Sequence, residues 1–224
     1  MAVWDTWIDD WRTARDLLVA KGGRVVDFEV APPASSDEIL EVEKRIDRAL
    51  PTSFRQVVTQ FAKEVTVNVS SVDKSSIPQS LRRHLFPGRM FLSWNLEEVA
   101  YLEQERQTML ERSERERVLD PWRHVCIFQK CANGDDLVFD ATSTSTEAIR
   151  FLSVKHALGN GYLLAESFED LVSRMTLLAL PGYDDYCWLP FAKDATSMLD
   201  LNCENAEIWR EWLGFQPKSR SFGT

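Results

Sequence analysis

Residues 34–62 read ASSDEILEVEKRIDRALPTSFRQVVTQFA, and this stretch decides the fold. Ser35 and Glu38 stand three apart just before an apolar periodicity. That is the spacing of a capping box, in which each side chain satisfies an orphan backbone N–H at a helix start. Ile39, Val42 and Ile46 then recur at helical intervals and give one apolar face. Leu50-Pro51 is expected to stop this helix, because the residue before a proline is pushed out of the α region. Pro51 can open the next helix, where its missing N–H costs nothing. Phe54, Val57, Val58 and Phe61 form a second stripe. The result is a helical hairpin that must pack on a core, and nothing in it is catalytic.

Upstream, Trp4, Trp7, Ile8, Trp11, Ala14, Arg15 and Leu18 share one face of an opening helix, which Gly22-Gly23 ends. Core packing is the first reading of this tryptophan stripe, and a partner surface the second. Val25 to Val30 reads as a strand, followed by the rigid joint Ala31-Pro32-Pro33. Downstream, Val65, Val67 and Val69 alternate with polar residues, the pattern of a half-buried strand. Ser70 to Gly88 is polar, carries Pro78 and Pro87, and reads as mostly loop. Met90 to Trp94 is a short strand or turn. Asn95 with Glu98 makes a second capping box, opening a long helix to about Val118. Its stretch from Glu103 to Arg117 mixes both charge signs and reads as solvated, with i,i+4 pairs such as Glu111–Arg115. Val125 to Cys131 and Leu137 to Phe139 are strands joined across Asn133-Gly134, a dipeptide that accepts positive φ. Ala148 to Val154 is a further strand. Ser167 with Asp170 starts a helix to about Leu178, and Glu204 to Leu213 is the last helix, stopped by Gly214 and Pro217. Helices and strands in irregular order predict an α+β fold. No inner linker or repeat divides the chain, so 1–224 is expected to form one domain, with 1–23 as a helical extension and 32–213 as the core.

The order of these segments resembles the SUKH superfamily, the Smi/Knr-type proteins. A first helix running into Leu50-Pro51-x-x-Phe54-Arg55 is similar to the family's opening. Asn133-Gly134-Asp135 followed by Leu137-Val138-Phe139-Asp140 resembles its NGD segment. His156, Gly159 and Gly161 lead into Leu164-Ala165-Glu166-Ser167-Phe168-Glu169-Asp170-Leu171, which is similar to its last helix. Trp188-Leu189-Pro190-Phe191 and Trp209-Arg210-Glu211-Trp212-Leu213 resemble the ending of one bacterial branch. The chain departs at Ala62-Lys63-Glu64, where the family often carries an Asn-Gly-Gly-like turn, and Ser70 to Gly88 matches no family segment. The resemblance implies a binding protein and not an enzyme, with an α+β fold of a mixed or antiparallel sheet and helices packed beside it. Bacterial members are largely immunity proteins of toxin systems, and fungal relatives act in cell-wall signalling. A cognate toxin domain, such as a basic nuclease, is therefore the expected partner, with a signalling or scaffold module as the alternative.

Composition bounds what chemistry is open. The net charge is −9, with 26 Lys and Arg against 35 Asp and Glu. That argues against nucleic acid, which needs a basic footprint, and permits steering toward a basic protein. No apolar run approaches the ~20 residues of a spanning helix, and the acidic MAVWDTWIDDW start lacks a signal peptide's basic region. A cytoplasmic location with no membrane contact is expected, and Cys126, Cys131, Cys187 and Cys203 are then reduced. No Cys-x-x-Cys or phosphate loop is present, so no cofactor or metal is expected; Gly159-Asn160-Gly161 reads as a turn. Cys131 and His156 lack a catalytic signature, and Cys131 reads as a small buried hydrophobe. His124 and Cys126 would share a strand face without further ligands.

Two carboxylate pairs remain, Asp135-Asp136 and Asp184-Asp185. In a turn such neighbours usually face water. The second pair is flanked by Tyr183 and Tyr186, with Trp188 nearby. Aromatic and acidic side chains on one loop make a binding surface. The partner-binding residues expected are Asp135, Asp136, Asp184, Asp185, Tyr186 and Trp188.

Overall fold

The structure, a computed structural model, describes residues 4, 6–84, 86–112, 117–140, 147–153 and 159–218, without the side chains of residues 112 and 117–120. Val154, His156 and Arg115 lie outside the described residues.

Two antiparallel sheets carry the fold. The first contains β1 (Val25–Val30), β2 (Glu64–Val69) and β3 (Met90–Asn95) in that order. Alternation places Val65, Val67 and Val69 on the core face, opposite Trp94, Leu92 and Met90 in register. β1 is the outer strand, bulged between Val25 and Asp27 and largely exposed. The second sheet has the order β4 (Val125–Lys130), β5 (Asp136–Asp140), β6 (Ile149–Leu152) and β7 (Leu163–Ala165). β5 is buried on both faces, so it reads as an apolar run and not an alternation. One face meets the main core through Phe139, which packs edge-on against Phe54 with 5.7 Å between ring centroids. The other meets α5 (Leu96–Arg112) and a 3₁₀ segment (Arg117–His124), forming a small second cluster of Leu102, Trp122, Val125, Ile127, Val138 and Leu152. This is the expected α+β class.

The hairpin of 34–62 folds as α2 (Ser36–Ile46) and α3 (Thr52–Gln60). The capping box is present: Ser35 Oγ accepts from Glu38 N, and the Glu38 carboxylate accepts from Ser35 N at 2.8 Å. Ile39, Val42 and Ile46 are buried, as are Phe54, Val57 and Val58, while Phe61 is half-buried beside them. The helix stop differs. α2 ends at Ile46 because Asp47 turns left-handed at φ 53°, four residues before Pro51. Asp tolerates this conformation, so Leu50-Pro51 acts on α3 alone, with Pro51 as its N-cap.

α1 (Trp7–Ala20) belongs to the main core. Trp7 and Trp11 are fully buried, and Trp11 Nε1 donates to Thr176 Oγ1 at 2.8 Å. At its C-terminal end Gly22 takes φ 100°. Residues 70–88 are less loop-like than their composition suggests. They hold a 3₁₀ turn (Lys74–Ser76) and the short α4 (Gln79–Arg82), and they bury Val72, Ile77, Leu81 and Phe86. Phe86 packs 4.9 Å from Trp209 of α8 (Glu204–Leu213). The cap of α5 also differs: Asn95 Oδ1 accepts from Glu97 N, not from Glu98. Helix α6 (Phe168–Leu177) begins as its sequence predicts, with Ser167 accepting from Asp170 N. The main cluster runs from Trp7 to Phe215. No helix among the described residues is long and apolar enough to cross a membrane.

Candidate functional site

The β4–β5 hairpin turn and the short α7 (Asp185–Trp188) lie far apart in sequence and meet in space. Gly134 takes φ 89°, the left-handed region for which glycine is suited. The turn is closed by Gly134 N to Cys131 O at 3.0 Å and Cys131 N to Asp135 O at 2.7 Å. Asn133 then clamps Asp135, donating Nδ2 to its carboxylate at 2.7 Å and accepting from its N–H at 3.0 Å. Asp135 is therefore buried, not solvated as a turn carboxylate usually is.

Asp184 is the hub between the two segments. It is 1% exposed and accepts from Arg89 Nη2 at 2.5 Å, Tyr186 Oη at 2.9 Å and the backbone N–H of Asn133 at 3.3 Å. Three donors, one of them a guanidinium, offset the cost of burying this charge. Tyr183 O next to it accepts from Cys131 Sγ at 3.3 Å and Trp188 Nε1 at 3.2 Å. Trp188 is a core side chain, 5.1 Å from the Phe151 ring. Gly159 fits against it: a Cβ there would lie 2.6 Å from Trp188 Cη2, and its φ is 92°.

Asp136 points the other way. It is the first residue of β5, and its Oδ2 accepts from Trp122 Nε1 at 2.9 Å, while Oδ1 is buried without a hydrogen-bond partner. Burial raises its carboxyl to about 6, a shift reinforced by Asp135 and Glu105 and opposed by the Trp122 bond and Lys130. Asp136 lines a groove of about 550 Å³ between α5 and the second sheet. Tyr101, Glu105, Arg106 and Met109 of α5 form one wall, and Ile127 and Lys130 of β4 the other.

The structure thus gathers Asp135, Asp184, Asp185, Tyr186 and Trp188 around one junction, and places Asp136 on the far side of the hairpin. Of the six, Asp135, Asp136, Asp184 and Trp188 are buried, while Asp185 and Tyr186 keep partial exposure. Burial holds the Asp185 carboxyl above its ordinary value, and the Tyr186 phenol is raised by burial and by its bond to Asp184.

The α5 groove is what sequence reasoning missed. The charged stretch after Glu103 reads as solvated, yet Glu103 and Arg106 are buried and joined at 2.5 Å, and Arg48 adds a bond to Glu103 at 2.9 Å. The i,i+3 spacing of Glu103 and Arg106 was the available signal. His124 falls in the 3₁₀ segment and is exposed while Cys126 is buried, so the two share no strand face. Burial pushes the thiols up, Cys126 to about 11 and Cys187 to about 12, with Cys131 moved the same way. A thiol so raised is a poor nucleophile near neutral pH.

The architecture is that of an α+β protein with two packed antiparallel sheets and an acidic–aromatic junction. Residues 33–174 match the SMI1 / KNR4 family (SUKH-1), and the chain belongs to that family. The match includes the Leu50-Pro51 turn, the Asn133–Asp140 hairpin and the start of α6, and it ends before the 188–213 tail. No curated protein matches the chain.

Proposed function

We propose that the protein is an immunity protein that binds a toxin domain and blocks its active site, acting by binding and not by catalysis. The reading draws on membership of the SMI1 / KNR4 family together with the resemblance to bacterial immunity proteins. The observation that carries it is the Asp184 hub. Three hydrogen bonds to Asp184 fix the loop after Tyr183, one from the Asn133 turn, one from Arg89 and one from Tyr186 within the loop itself, leaving Asp185 and Tyr186 part-exposed on a fixed backbone. A surface fixed before binding loses less entropy when a partner docks. Tyrosine is enriched among the residues that dominate interface energies, and carboxylates raise the encounter rate with a basic partner. Asp135, Asp184 and Trp188 contribute by holding this surface in place. The net charge of −9 suits a basic toxin such as a nuclease. The scaffold alternative draws less support, since residues 70–88 and part of the charged helix turn apolar and paired side chains inward.

The experiment is a growth rescue. The reading frame beside this gene is induced in a host cell with and without the chain. Killing by the neighbour alone, with growth restored by a stable complex, is expected; a harmless neighbour, or killing unrelieved by folded protein, would overturn the reading.

A further inference from the structure

We infer that the groove between α5 and β4 is a receptor pocket for a basic side chain, an arginine or lysine of a protein partner, with the Asp136 carboxylate as its counter-ion. This rests on the partner-binding reading above and goes beyond it in naming the chemistry that enters.

The argument begins with an unmet need. Asp136 is 3% exposed and lines the groove, and its Oδ1 has no hydrogen-bond partner. A carboxylate oxygen left so is costly, and a cationic donor is what relieves it. The groove's own cations are engaged elsewhere. Lys130 faces Asp136 across the β4–β5 ladder and its charge acts on that carboxyl, but its Nζ bonds to Glu105 at 3.0 Å and leaves Oδ1 without a hydrogen-bond donor. Arg106 is held by both Glu103 carboxylate oxygens and by Trp122 O at 2.7 Å. The remaining features suit a long cationic side chain. Met109 and Ile127 offer apolar walls for its stem, and the 56% exposed Tyr101 offers a ring at which a cation can rest. The volume of about 550 Å³ admits one such side chain with its flanking backbone. Lys130, a flexible side chain at the wall, would give way as the guest approaches Oδ1.

The charges around Asp136 are Glu105 and Arg106 from α5, Lys130 from β4 and Asp135 from the turn, with the Trp122 indole as donor from the 3₁₀ segment. The guest must meet an ionised Asp136, so affinity falls as pH drops through its titration near 6.

The test uses the full chain and N-acetyl-arginine amide as probe, with N-acetyl-glutamate amide as control, followed by NMR at pH 7.5 and pH 5. The expected result is saturable shifts at Tyr101, Lys130 and the Asp136 carboxyl with the arginine probe alone. Affinity should be up to about tenfold weaker at pH 5, the loss of the ionised fraction, and the Asp136 midpoint should fall on saturation. Asp136→Asn, which can still accept from Trp122, should abolish saturation, and Tyr101→Ala at its exposed position should weaken it several-fold. Shifts that do not saturate, equal binding by Asp136→Asn, or a Lys130 ammonium found resting on Asp136 in solution would overturn the proposal. No toxin enters this experiment, so its failure leaves the immunity reading standing, and a failed growth rescue leaves the pocket standing.

Discussion

Asn133 and Asp184, 51 residues apart, are joined by a backbone N–H to carboxylate hydrogen bond of 3.3 Å, and the same carboxylate holds Arg89 and Tyr186. This ties a hairpin turn of one sheet to a loop that follows α6. Replacing Asp184 with Asn should cost about 2–3 kcal/mol, because it leaves the Arg89 guanidinium without its counter-ion in a part-buried site. Tyr186→Phe removes one bond and should cost about 0.5–1.5 kcal/mol. Urea denaturation of both variants checks the order; an Asp184→Asn variant as stable as the parent would show that the hub holds nothing.

Asp136 ties stability to pH in an unusual direction. Its carboxyl sits at about 6 in the fold against 3.8 when free. Between these values the folded chain holds the proton more tightly than the unfolded chain, so this group's contribution favours folding at low pH and is lost as pH rises to about 6. The full effect is on the order of 2–3 kcal/mol, from roughly two pKa units. Asp136→Asn should therefore be more stable than the parent at pH 7.5 and lack this slope between pH 4 and 6. Denaturation midpoints at four pH values measure it, and parallel profiles for the two proteins would refute it.

Gly134 and Gly159 separate conformational strain from steric clash. Both take positive φ, at 89° and 92°. A Cβ at Gly134 meets nothing within 4 Å, while one at Gly159 would meet Trp188 at 2.6 Å. Gly134→Ala should cost about 1 kcal/mol from backbone strain alone. Gly159→Ala should cost at least about 1 kcal/mol more, since the indole must shift in a packed core. Thermal unfolding of the two variants compares them, and equal melting temperatures would contradict the close approach.

Trp11 is fully buried, packs 6.1 Å from Trp94, and donates to Thr176. Trp11→Ala should destabilise the fold by about 3–5 kcal/mol. Thr176→Val, which strands the indole N–H, should cost about 1–3 kcal/mol. A folded, equally stable protein lacking the Trp11 side chain would mean that α1 is an appendage.

Much of this was legible in the residues because local rules agreed with the fold. The Ser35–Glu38 box, the Val65–Val69 alternation, the Asn133-Gly134 turn and the Ser167 cap all form as their patterns predict. The α2 stop was misplaced because Asp47 reaches the left-handed region before the proline matters. Residues 70–88 hid four core side chains, since isolated apolar residues at 72, 77, 81 and 86 follow no helical or strand period. The candidate site was legible in residue type more than in role. Sequence alone shows two acidic pairs, but only long-range pairing reveals Asp184 turned inward onto Arg89 and Asp136 turned toward α5. The groove itself depends on contacts among α5, β4 and β5, which no single segment encodes.

The most direct test of the account is the dissociation constant for the neighbouring gene's product, measured by calorimetry with the parent chain, Asp185→Lys and Tyr186→Ala. Each substitution should weaken binding by tenfold or more, about 1.4 kcal/mol, while folding stability stays within about 0.5 kcal/mol of the parent for Asp185→Lys, as for a surface change, and falls for Tyr186→Ala by at least the cost of its lost bond to Asp184, about 0.5–1.5 kcal/mol. An unchanged dissociation constant in both variants, with a tight parent complex, would contradict the claim that the Asp184 hub presents the binding surface.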